Sequence, residues 1–307
     1  MTWWDMLVPL LAAAVQSGTP ILFATLGEIF TERAGVLNLG VEGVMLAGAL
    51  AGFLTSMWSG SPVLGFAAGG FFGAGLAGIH GLVCIAFSGN QVVSGLALTI
   101  LGIGLADYLG TPFIGQSAPG FVPVPIPGLS EIPAVGAILF RQDPLVYVSY
   151  AVPPLMWLFF RNTRWGLRLR SVGEYPHAAA AAGLNVSAFR WAGVLVGGFL
   201  CGLGGAYLSL AYTHLWTSGL SAGRGWIAVA LVIFAFWHPG RAVLGAYFFG
   251  GVMAFQFRLQ ATGTHIPSSL LLMLPYALTV LVLVFSSWRG RGDRAPAFLG
   301  VNTEPAE

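Results

Sequence analysis

Polar side chains suited to chemistry are concentrated at a few points of this sequence, and the densest group is TERAGVLNLGVEGVML, residues 31–46. If Arg33 marks the edge of an apolar slab, Asn38 and Glu42 lie about 8–15 Å further in along a helix. A carboxylate at that depth is costly and faces a cavity or a partner. The glycines allow a break, so the pattern predicts a discontinuous helix near residues 34–46 that lines a polar pathway. A simple pair of Glu42 with Arg33, or a solvated surface turn, is the alternative.

Two other polar segments open apolar runs, SGNQVVSGLAL and SAGRGWIAVAL. The amides of Asn90 and Gln91 suit a neutral polar ligand, and helix capping is an equal alternative. Trp226 can stack on a flat ring, although a tryptophan at such a point also serves as a membrane anchor. NLGVEG and AGRGW open their runs from opposite ends, which indicates a weak inverted repeat of the kind that transporters use. The predicted substrate pathway therefore contains Asn38, Glu42, Asn90, Gln91 and Trp226.

Motifs for catalysis and nucleotide binding are missing from the sequence. It contains no phosphate-binding G-x-x-x-x-G-K-[ST] motif and no nucleophile–histidine–acid constellation. The histidines are not spaced as metal ligands, and core or interface packing is expected for His80, His177, His214, His238 and His265. We therefore expect no catalytic residue, no metal site and no cofactor in this chain.

The elements that must position these residues follow from composition. Only 8% of the 307 residues are charged and 56% are hydrophobic, whereas soluble proteins have about 25% charged residues. A helix that spans a bilayer needs about 20 apolar residues, and this window predicts an all-α polytopic membrane protein with about nine transmembrane helices. They lie near Leu7–Phe30, Val36–Trp58, Val63–Phe87, Val92–Leu109, Leu145–Phe160, Trp191–Tyr212, Trp226–Trp237, Val243–Phe257 and Ser269–Ser286. We expect one transmembrane domain over residues 1–288 and a cytoplasmic tail over residues 289–307.

Arginine placement predicts the sidedness of the spans, because positive residues favour the cytoplasmic side. RNTRWGLRLR supplies four arginines to the loop 161–190, and three more follow the last span. These groups are placed in the cytoplasm together with three single arginines, and the full cytoplasmic set is Arg33, Arg161, Arg164, Arg168, Arg170, Arg190, Arg241, Arg289, Arg291 and Arg294. Arg141, Arg224 and Arg258 then fall outside. The N-terminus is outside, the C-terminus is cytoplasmic, and the loop 110–143 is an ordered extracytoplasmic connection with a short helix near Leu129–Pro133.

Two glycine-rich segments predict how the spans pack. GGFFGAGLAG holds Gly69, Gly73 and Gly75, and GGFLCGLGG holds Gly198, Gly202 and Gly205. Small residues four positions apart let helix backbones approach closely, so these faces are expected to lie in helix–helix contacts.

The cytoplasmic loop contains SVGEYPHAAAAAGLNV, which predicts a short surface helix. Pro176 suits the first turn, Glu174 suits the positive end of the helix dipole, and the alanines are strong helix formers. Gly183 suits the C-terminal cap. A short alanine-rich helix without an apolar stripe cannot anchor itself by burial, so we expect it to dock into another protein.

Several long segments follow the order of a known family: TPILFATLGEIFTERAGVLNLGVEGVMLAGA, GNQVVSGLALTIL, RWGLRLRSVGEYPHAAAAAGLNV, SAGRGWIAVALVIFAFWHPGRAVLGAYFFG and LMLPYALTVLVL. Over nearly its whole length the chain resembles the permease subunits of ABC-type importers in the nucleoside and simple-sugar branch, related to ribose and branched-chain amino acid permeases. RAPAFLGVNTEPAE resembles the tail of this branch. One departure is Ala235–Phe236, where family members often have a glycine, so helix packing is expected to differ there.

The resemblance implies a set of partners. GEYPHAAAAAG would be the coupling helix that sits in a cleft of a cytoplasmic ABC ATPase, which alone binds ATP and Mg. The residues assigned to this coupling are Gly173, Glu174, Pro176, Ala179, Ala180 and Gly183. A second permease, often a different paralogous chain, and an extracytoplasmic substrate-binding lipoprotein would complete the transporter in the bacterial inner (plasma) membrane.

The resemblance also implies ATP-driven import of nucleosides by alternating access. A pentose importer is the alternative within the family, and an ion-coupled secondary transporter, driven by a proton through Glu42 or by sodium, is the alternative outside it. Amides, one carboxylate and an aromatic face suit a neutral ligand, whereas an anion requires arginines or helix N-termini. We therefore expect uncharged nucleosides to be imported and nucleotides to be rejected.

Overall fold

The computed structural model describes residues 3–263, 266–288 and 295–302, and the regular structure within these ranges is helical. Two π-helical turns, Leu82–Ala86 and Leu208–Tyr212, extend the third and ninth helices. The helices are α1 Trp3–Arg33, α2 Val41–Ser59, α3 Pro62–Gly81, α4 Gln91–Gly110, α5 Val135–Leu139, α6 Pro144–Asn162, α7 Arg164–Glu174, α8 Pro176–Ala181, α9 Val186–Tyr207, α10 Arg224–Ala235, α11 Pro239–Ala261 and α12 Ser268–Trp288.

The described helices support a multi-pass membrane protein. Six of them are long and apolar enough to cross a bilayer: Trp4–Arg33, Val41–Ser59, Pro62–Ala86, Gln91–Phe113, Val186–Tyr212 and Pro239–Ala261. They correspond to six of the nine predicted spans. In the described ranges α6 is not among them, and α10 and α12 provide only shorter apolar stretches. The polytopic all-α class is confirmed, whereas the count of nine transmembrane helices is not.

The helical path is interrupted between α1 and α2. Residues 34–40 leave helical geometry, and all of them are buried or half-buried. Helix α2 therefore begins at Val41, later than the start of the predicted span Val36–Trp58. We call residues 34–40 the first break. A second non-helical segment, residues 213–223, separates the end of α9 from α10 and is called the second break.

Several helices begin where the sequence supplies a capping side chain. Oδ1 of Asn185 accepts a hydrogen bond from the backbone N–H of Ala188 at 2.9 Å, which starts α9. Asp143 accepts from the backbone N–H groups of Leu145 and Val146, and Pro144 occupies the first turn of α6. Burial raises the pKa of Asp143, and these hydrogen bonds oppose the rise. Side-chain caps of this kind satisfy N–H groups that a helix leaves unpaired at its start.

Close glycine contacts hold α9 against its neighbours, as the glycine-rich segments predict. A Cβ added at Gly73 would overlap the carbonyl oxygen of Gly198 on α9, and one at Gly48 would lie 2.7 Å from the Cα of Gly202. Gly75 is different, because nothing lies within 4 Å of its added Cβ. The backbones of α2, α3 and α9 therefore approach more closely than any larger residue permits.

Two series of helices make corresponding contacts. In the first series, α1 leads through the first break to α2, α3 and α4; in the second, α9 leads through the second break to α10, α11 and α12. Helix α1 packs against α9 and α11, and α9 packs against α1 and α3. Helix α2 contacts α3, α4 and α9, and α10 contacts α11, α12 and α1. If each helix of the first series is swapped with its counterpart in the second series, the same set of contacts is obtained.

Three local features differ from the sequence predictions or refine them. The arginine-rich stretch that we predicted as loop is helix α7, and its apolar face buries Leu169 and Val172. Arg224, predicted to open the seventh span from the outer side, begins α10 and is buried there, with its guanidinium 5.4 Å from the ring centre of Tyr212. The short helix near Leu129–Pro133 is present as a 3₁₀ turn, Leu129–Glu131. His265, Arg289, Arg291 and Arg294 lie outside the described residues.

Candidate functional site

The first break is held in place by buried polar side chains, beginning with Glu28 on α1. Oε1 of Glu28 accepts a hydrogen bond from the backbone N–H of Asn38 at 3.0 Å. Oδ1 of Asn38 in turn accepts from the backbone N–H of Gly40 at 2.8 Å. Glu28 and Asn38 are almost inaccessible to solvent. Asn38, a predicted pathway residue, therefore supports the turn that leads into α2.

Side chains from α3 and α4 hold the rest of the first break. Oε1 of Gln91 accepts from the backbone N–H of Leu37 at 2.7 Å, and Nε2 of His80 lies 3.0 Å from the carbonyl oxygen of Leu37. Oγ1 of Thr99 donates to the carbonyl oxygen of Leu39 at 2.8 Å. Irregular backbone at membrane depth persists only where its polar groups are satisfied. His80, Gln91 and Thr99 provide this, so Gln91 acts on the backbone of the break.

Glu42 joins the first turn of α2 to the second break. Its Oε1 accepts hydrogen bonds from Oγ of Ser221 at 2.6 Å and from the backbone N–H of Gly223 at 2.8 Å. Its Oε2 accepts from the backbone N–H of Gly225 at 2.7 Å. A Cβ on Gly225 would lie 2.5 Å from the Cα of Glu42, so only glycine permits this approach. A carboxylate at the N-terminus of α10 also complements the helix dipole. The structure thus places Glu42 as a clamp on α10, not in a pair with Arg33.

A third buried acid, Glu32, holds the turn between α10 and α11. Its carboxylate accepts a hydrogen bond from the indole N–H of Trp237. Nη2 of Arg33 donates to the carbonyl oxygen of Trp237 at 3.2 Å. Phe236 and Trp237 have φ angles of 50° and 53°, in the left-handed region that favours glycine. This explains why a glycine suits the position of Phe236, and why the turn needs contacts from α1 to stay in place.

Glu28 and Glu32 were not among the residues predicted from the sequence. They lie four residues apart on α1, on the same side of the helix. Glu32 is covered by the α10–α11 turn, which is distant along the chain. Glu28 is covered by the first break, which is irregular in structure. The sequence feature that could have revealed them is the presence of two acids within one apolar run. Because that run ends at Arg33, both acids could be interpreted as residues at the edge of a membrane.

Asn90 and Trp226 lie apart from this buried network. Oδ1 of Asn90 caps α4 by accepting from the backbone N–H of Val93 at 3.0 Å, which is the capping alternative. Asn90 also lines a cavity of about 440 Å³ between α3 and α4, together with His80 and Ser94. Trp226, in the first turn of α10, is 38% exposed. Of the five predicted pathway residues, Asn90 lines this cavity, whereas Asn38, Glu42 and Gln91 hold the two breaks.

Among the described residues two arginines are buried, and each is held separately. Arg224 donates through Nη1 to the carbonyl oxygen of Ser221 at 3.1 Å. Arg190 donates through Nη2 to the carbonyl oxygen of Val301 at 3.2 Å. Backbone carbonyls thus take up part of the donor capacity of both guanidinium groups.

Gly173 and Glu174, at the end of α7, contact the C-terminal end of α1. A Cβ on Gly173 would overlap the carbonyl oxygen of Arg33 and lie 3.0 Å from the backbone nitrogen of Gly35. Oε1 of Glu174 lies 3.9 Å from Nη1 of Arg33. An exposed pair at this distance contributes little stability. Gly173 therefore acts through close backbone packing, which ties α7 directly to the first break.

Helix α8 has one packed face and one open face. Pro176 and Ala179 are buried, whereas Ala180 and Gly183 are exposed. Gly183 has φ 79°, and the backbone N–H of Leu184 donates to the carbonyl oxygen of Ala179 at 3.0 Å. This is the glycine-terminated helix end that the sequence predicts. The helix does bury part of its surface, contrary to our expectation, because Pro176 and Ala179 fall on one side.

Residues 295–302, called here the tail segment, connect α8 to the first break. The backbone N–H of Phe298 donates to the carbonyl oxygen of Gly173 at 3.1 Å, and the Phe298 ring lies 5.6 Å from that of Tyr175. At the other end, Oδ1 of Asn302 accepts from Nε2 of Gln91 at 3.0 Å, and Gln91 holds Leu37. The tail is therefore packed against the helical domain over the part that the structure describes.

Comparison with known proteins identifies a family. The family described as "Branched-chain amino acid transport system / permease component" matches residues 10–283. The guanosine ABC transporter permease protein of Bacillus subtilis is 35% identical over 305 residues, covering 94% of this chain and 94% of that protein. The nucleoside ABC transporter permease protein of Lactococcus lactis is 37% identical over 283 residues, covering 86% and 88%.

A relative with a different named substrate also matches. A permease protein of Haloferax volcanii, provisionally named for a glucose ABC transporter, is 46% identical over 256 residues, covering 82% of this chain and 78% of that protein. No solved structure matches the chain.

Proposed function

The chain belongs to the family of permease components of branched-chain amino acid transport systems, and on this premise we propose that it imports uncharged nucleosides as one subunit of an ATP-driven ABC transporter. It is a transport component, and ATP is hydrolysed by a separate ATPase. Nearly full-length similarity to permeases named for guanosine and for nucleosides is the observation that carries the substrate class.

The two corresponding helix series support an inverted repeat as the moving framework. Each series contains a buried break, and Glu42 joins the two by reaching from α2 to the start of α10. Alternating access then follows when one series rocks against the other, as in transporters built from inverted repeats. In this arrangement the nine predicted spans place the N-terminus outside and the C-terminus in the cytoplasm.

We assign contact with the ATPase to the open face of α8. Ala180 and Gly183 are exposed there, while Pro176 and Ala179 fix the helix to the permease. Gly173 packs against Arg33 at the end of α1 and against Gly35 of the first break, so a displacement of α8 reaches the first break through close backbone contacts. The ATPase would drive transport through this connection.

The substrate pathway is placed on the α3–α4 side, between this chain and a second permease. Asn90 offers an amide to the cavity wall, beside Ser94 and His80. Gln91 lies next to Asn90 at the start of α4 and, with His80, holds Leu37 of the first break. An extracytoplasmic lipoprotein delivers the substrate, and the assembly lies in a bacterial plasma membrane.

A sugar is the second candidate substrate, and the similarity to the permease provisionally named for glucose favours it. A nucleoside and a sugar both present hydroxyl groups to an amide such as that of Asn90. An ion-coupled mechanism through Glu42 receives less support, because hydrogen bonds already engage both oxygens of its carboxylate.

The experiment is uptake of labelled guanosine, ribose, glucose and a nucleoside monophosphate into vesicles that hold the complete transporter. We expect guanosine to accumulate and the monophosphate to be excluded. Glucose or ribose uptake without guanosine uptake would assign the transporter to sugars. Efficient uptake of the monophosphate would contradict the argument from missing positive charge.

A further inference from the structure

A groove between α6 and α11 lies away from the proposed pathway. Its volume is about 580 Å³, and Tyr150, Trp157 and Val243 are among its mostly apolar lining. The cause is a proline pair in the middle of α6. Pro153 and Pro154 cannot donate backbone hydrogen bonds, and their rings disturb the preceding turn. Helix α6 therefore does not pack tightly against α11 along this length.

A second, basic cavity adjoins one end of this groove. It measures about 210 Å³, and Trp157 and His238 line both cavities. Arg33, Arg161 and Arg170 line the second cavity, and they come from three different helices. The arginine pattern of the whole chain places this end at the cytoplasmic face. An apolar groove thus leads into a basic cavity at the expected depth of a lipid headgroup.

The charges in the basic cavity leave positive groups for a ligand. Glu174 lies 3.9 Å from Arg33, and Glu32 is engaged by the indole of Trp237. Within the described ranges, neither Arg161 nor Arg170 has an acidic partner within 4 Å. The Nε atom of Arg170 is buried and has no hydrogen-bond partner in the part that the structure describes. Two guanidinium groups are therefore available to an anion.

We propose that this pair of cavities binds an anionic phospholipid of the cytoplasmic leaflet. Its phosphate lies among Arg161, Arg170 and Arg33, because guanidinium groups bind phosphate oxygens with paired, charge-assisted hydrogen bonds. One acyl chain fills the apolar groove beside Val243. Basic pockets between membrane helices on the cytoplasmic side suit anionic headgroups. The site requires only that the chain lies in a membrane, so it stands apart from the choice of substrate.

The test uses the full chain, purified in detergent and exposed to phosphatidylglycerol or phosphatidylcholine with the same acyl chains. Native mass spectrometry counts the bound lipids. We expect phosphatidylglycerol to be retained in preference. R161Q and R170Q should each weaken this preference about fivefold, since each arginine near an anionic surface has a comparable effect. R168Q is the matched control, because Arg168 lies on α7, is exposed and does not line the cavity.

The groove is tested separately by filling it. V243W should lower the retention of both lipids, whereas L244W on the same helix should not, because Leu244 is 74% exposed and lies outside the groove. Equal retention of the two lipids, or a preference that survives R161Q and R170Q, would overturn the site. Release of the lipid by millimolar inorganic phosphate would assign the cavity to free phosphate. Loss of the lipid upon addition of the second permease would make the groove an interface between permeases and would also overturn the proposal.

Discussion

Replacing Glu42 with glutamine separates a structural role of this residue from a role in binding substrate. Glutamine keeps the shape and one acceptor oxygen, which can still serve Ser221 and Gly223. The other oxygen becomes an NH₂ group that faces the backbone N–H of Gly225, now 2.7 Å from Oε2. Two donors then point at each other in a position that is only 6% exposed.

The expected loss of stability follows from these contacts. A buried donor left without an acceptor costs about 1–3 kcal/mol. Removal of a negative charge from the N-terminus of α10 costs about 0.3–2 kcal/mol more. The sum is roughly 1.3–5 kcal/mol, so E42Q is expected to unfold several degrees below the wild-type chain.

Thermal unfolding of the purified transporter in detergent measures this effect, and vesicle uptake measures transport. E131Q is the control, because Glu131 is an exposed acid in the segment between α4 and α5. We expect E42Q to lose both stability and transport and E131Q to retain both. Wild-type thermal stability together with lost uptake would refute the clamp and return Glu42 to the substrate pathway.

Other substitutions test the packing and the coupling surfaces. G205A places a Cβ onto the carbonyl oxygen of Met45 and is expected to destabilise the chain by about 1–3 kcal/mol, whereas G104A, which meets nothing within 4 Å, should be neutral or slightly stabilising in the same unfolding assay. G183V strains a residue at φ 79° and adds bulk beside the proposed ATPase-binding face. Uptake and co-purification of the ATPase should therefore fall, while membrane insertion persists. Unchanged co-purification would contradict the coupling assignment. E174K should have the same effect on uptake, because it removes the acceptor for the backbone N–H of Ala297 and places a positive charge near Arg33. F298A removes the ring contacts with Tyr175 and His177 and should lower transport per ATP hydrolysed, with V301A as the matched control at an exposed position of the same segment; equal coupling ratios would show that the tail segment is not needed.

Local rules predicted the features that depend on local sequence. The apolar runs correctly located six long helices. Gly183 correctly marked the end of α8, because the residue that completes this helix end has a left-handed backbone conformation, which glycine adopts readily. Helix α7 was missed because its arginines dominate the composition. Its buried residues Gly166, Leu169, Val172 and Gly173 nevertheless recur at helical spacing.

The candidate site was less predictable, because its geometry depends on contacts between distant segments. The partners of Glu42 lie about 180 residues away along the chain, and the partner of Glu32 lies 205 residues away. The sequence placed Glu42 at membrane depth, but it could not show that the backbone N–H groups of Gly223 and Gly225 already occupy the carboxylate. The contact of Asn302 with Gln91 could not be predicted either, because the two residues are 211 positions apart along the chain.

The central claim is that ATP drives this permease, and the energy source of uptake tests it most directly. Labelled guanosine is added outside vesicles that hold the complete transporter, and ATP is supplied on the side of the membrane that carries α8 and the ATPase. A parallel sample receives a proton or sodium gradient and no ATP. We predict accumulation only with ATP, and its loss in G183V with the ATPase present. Accumulation driven by the ion gradient alone would contradict the account.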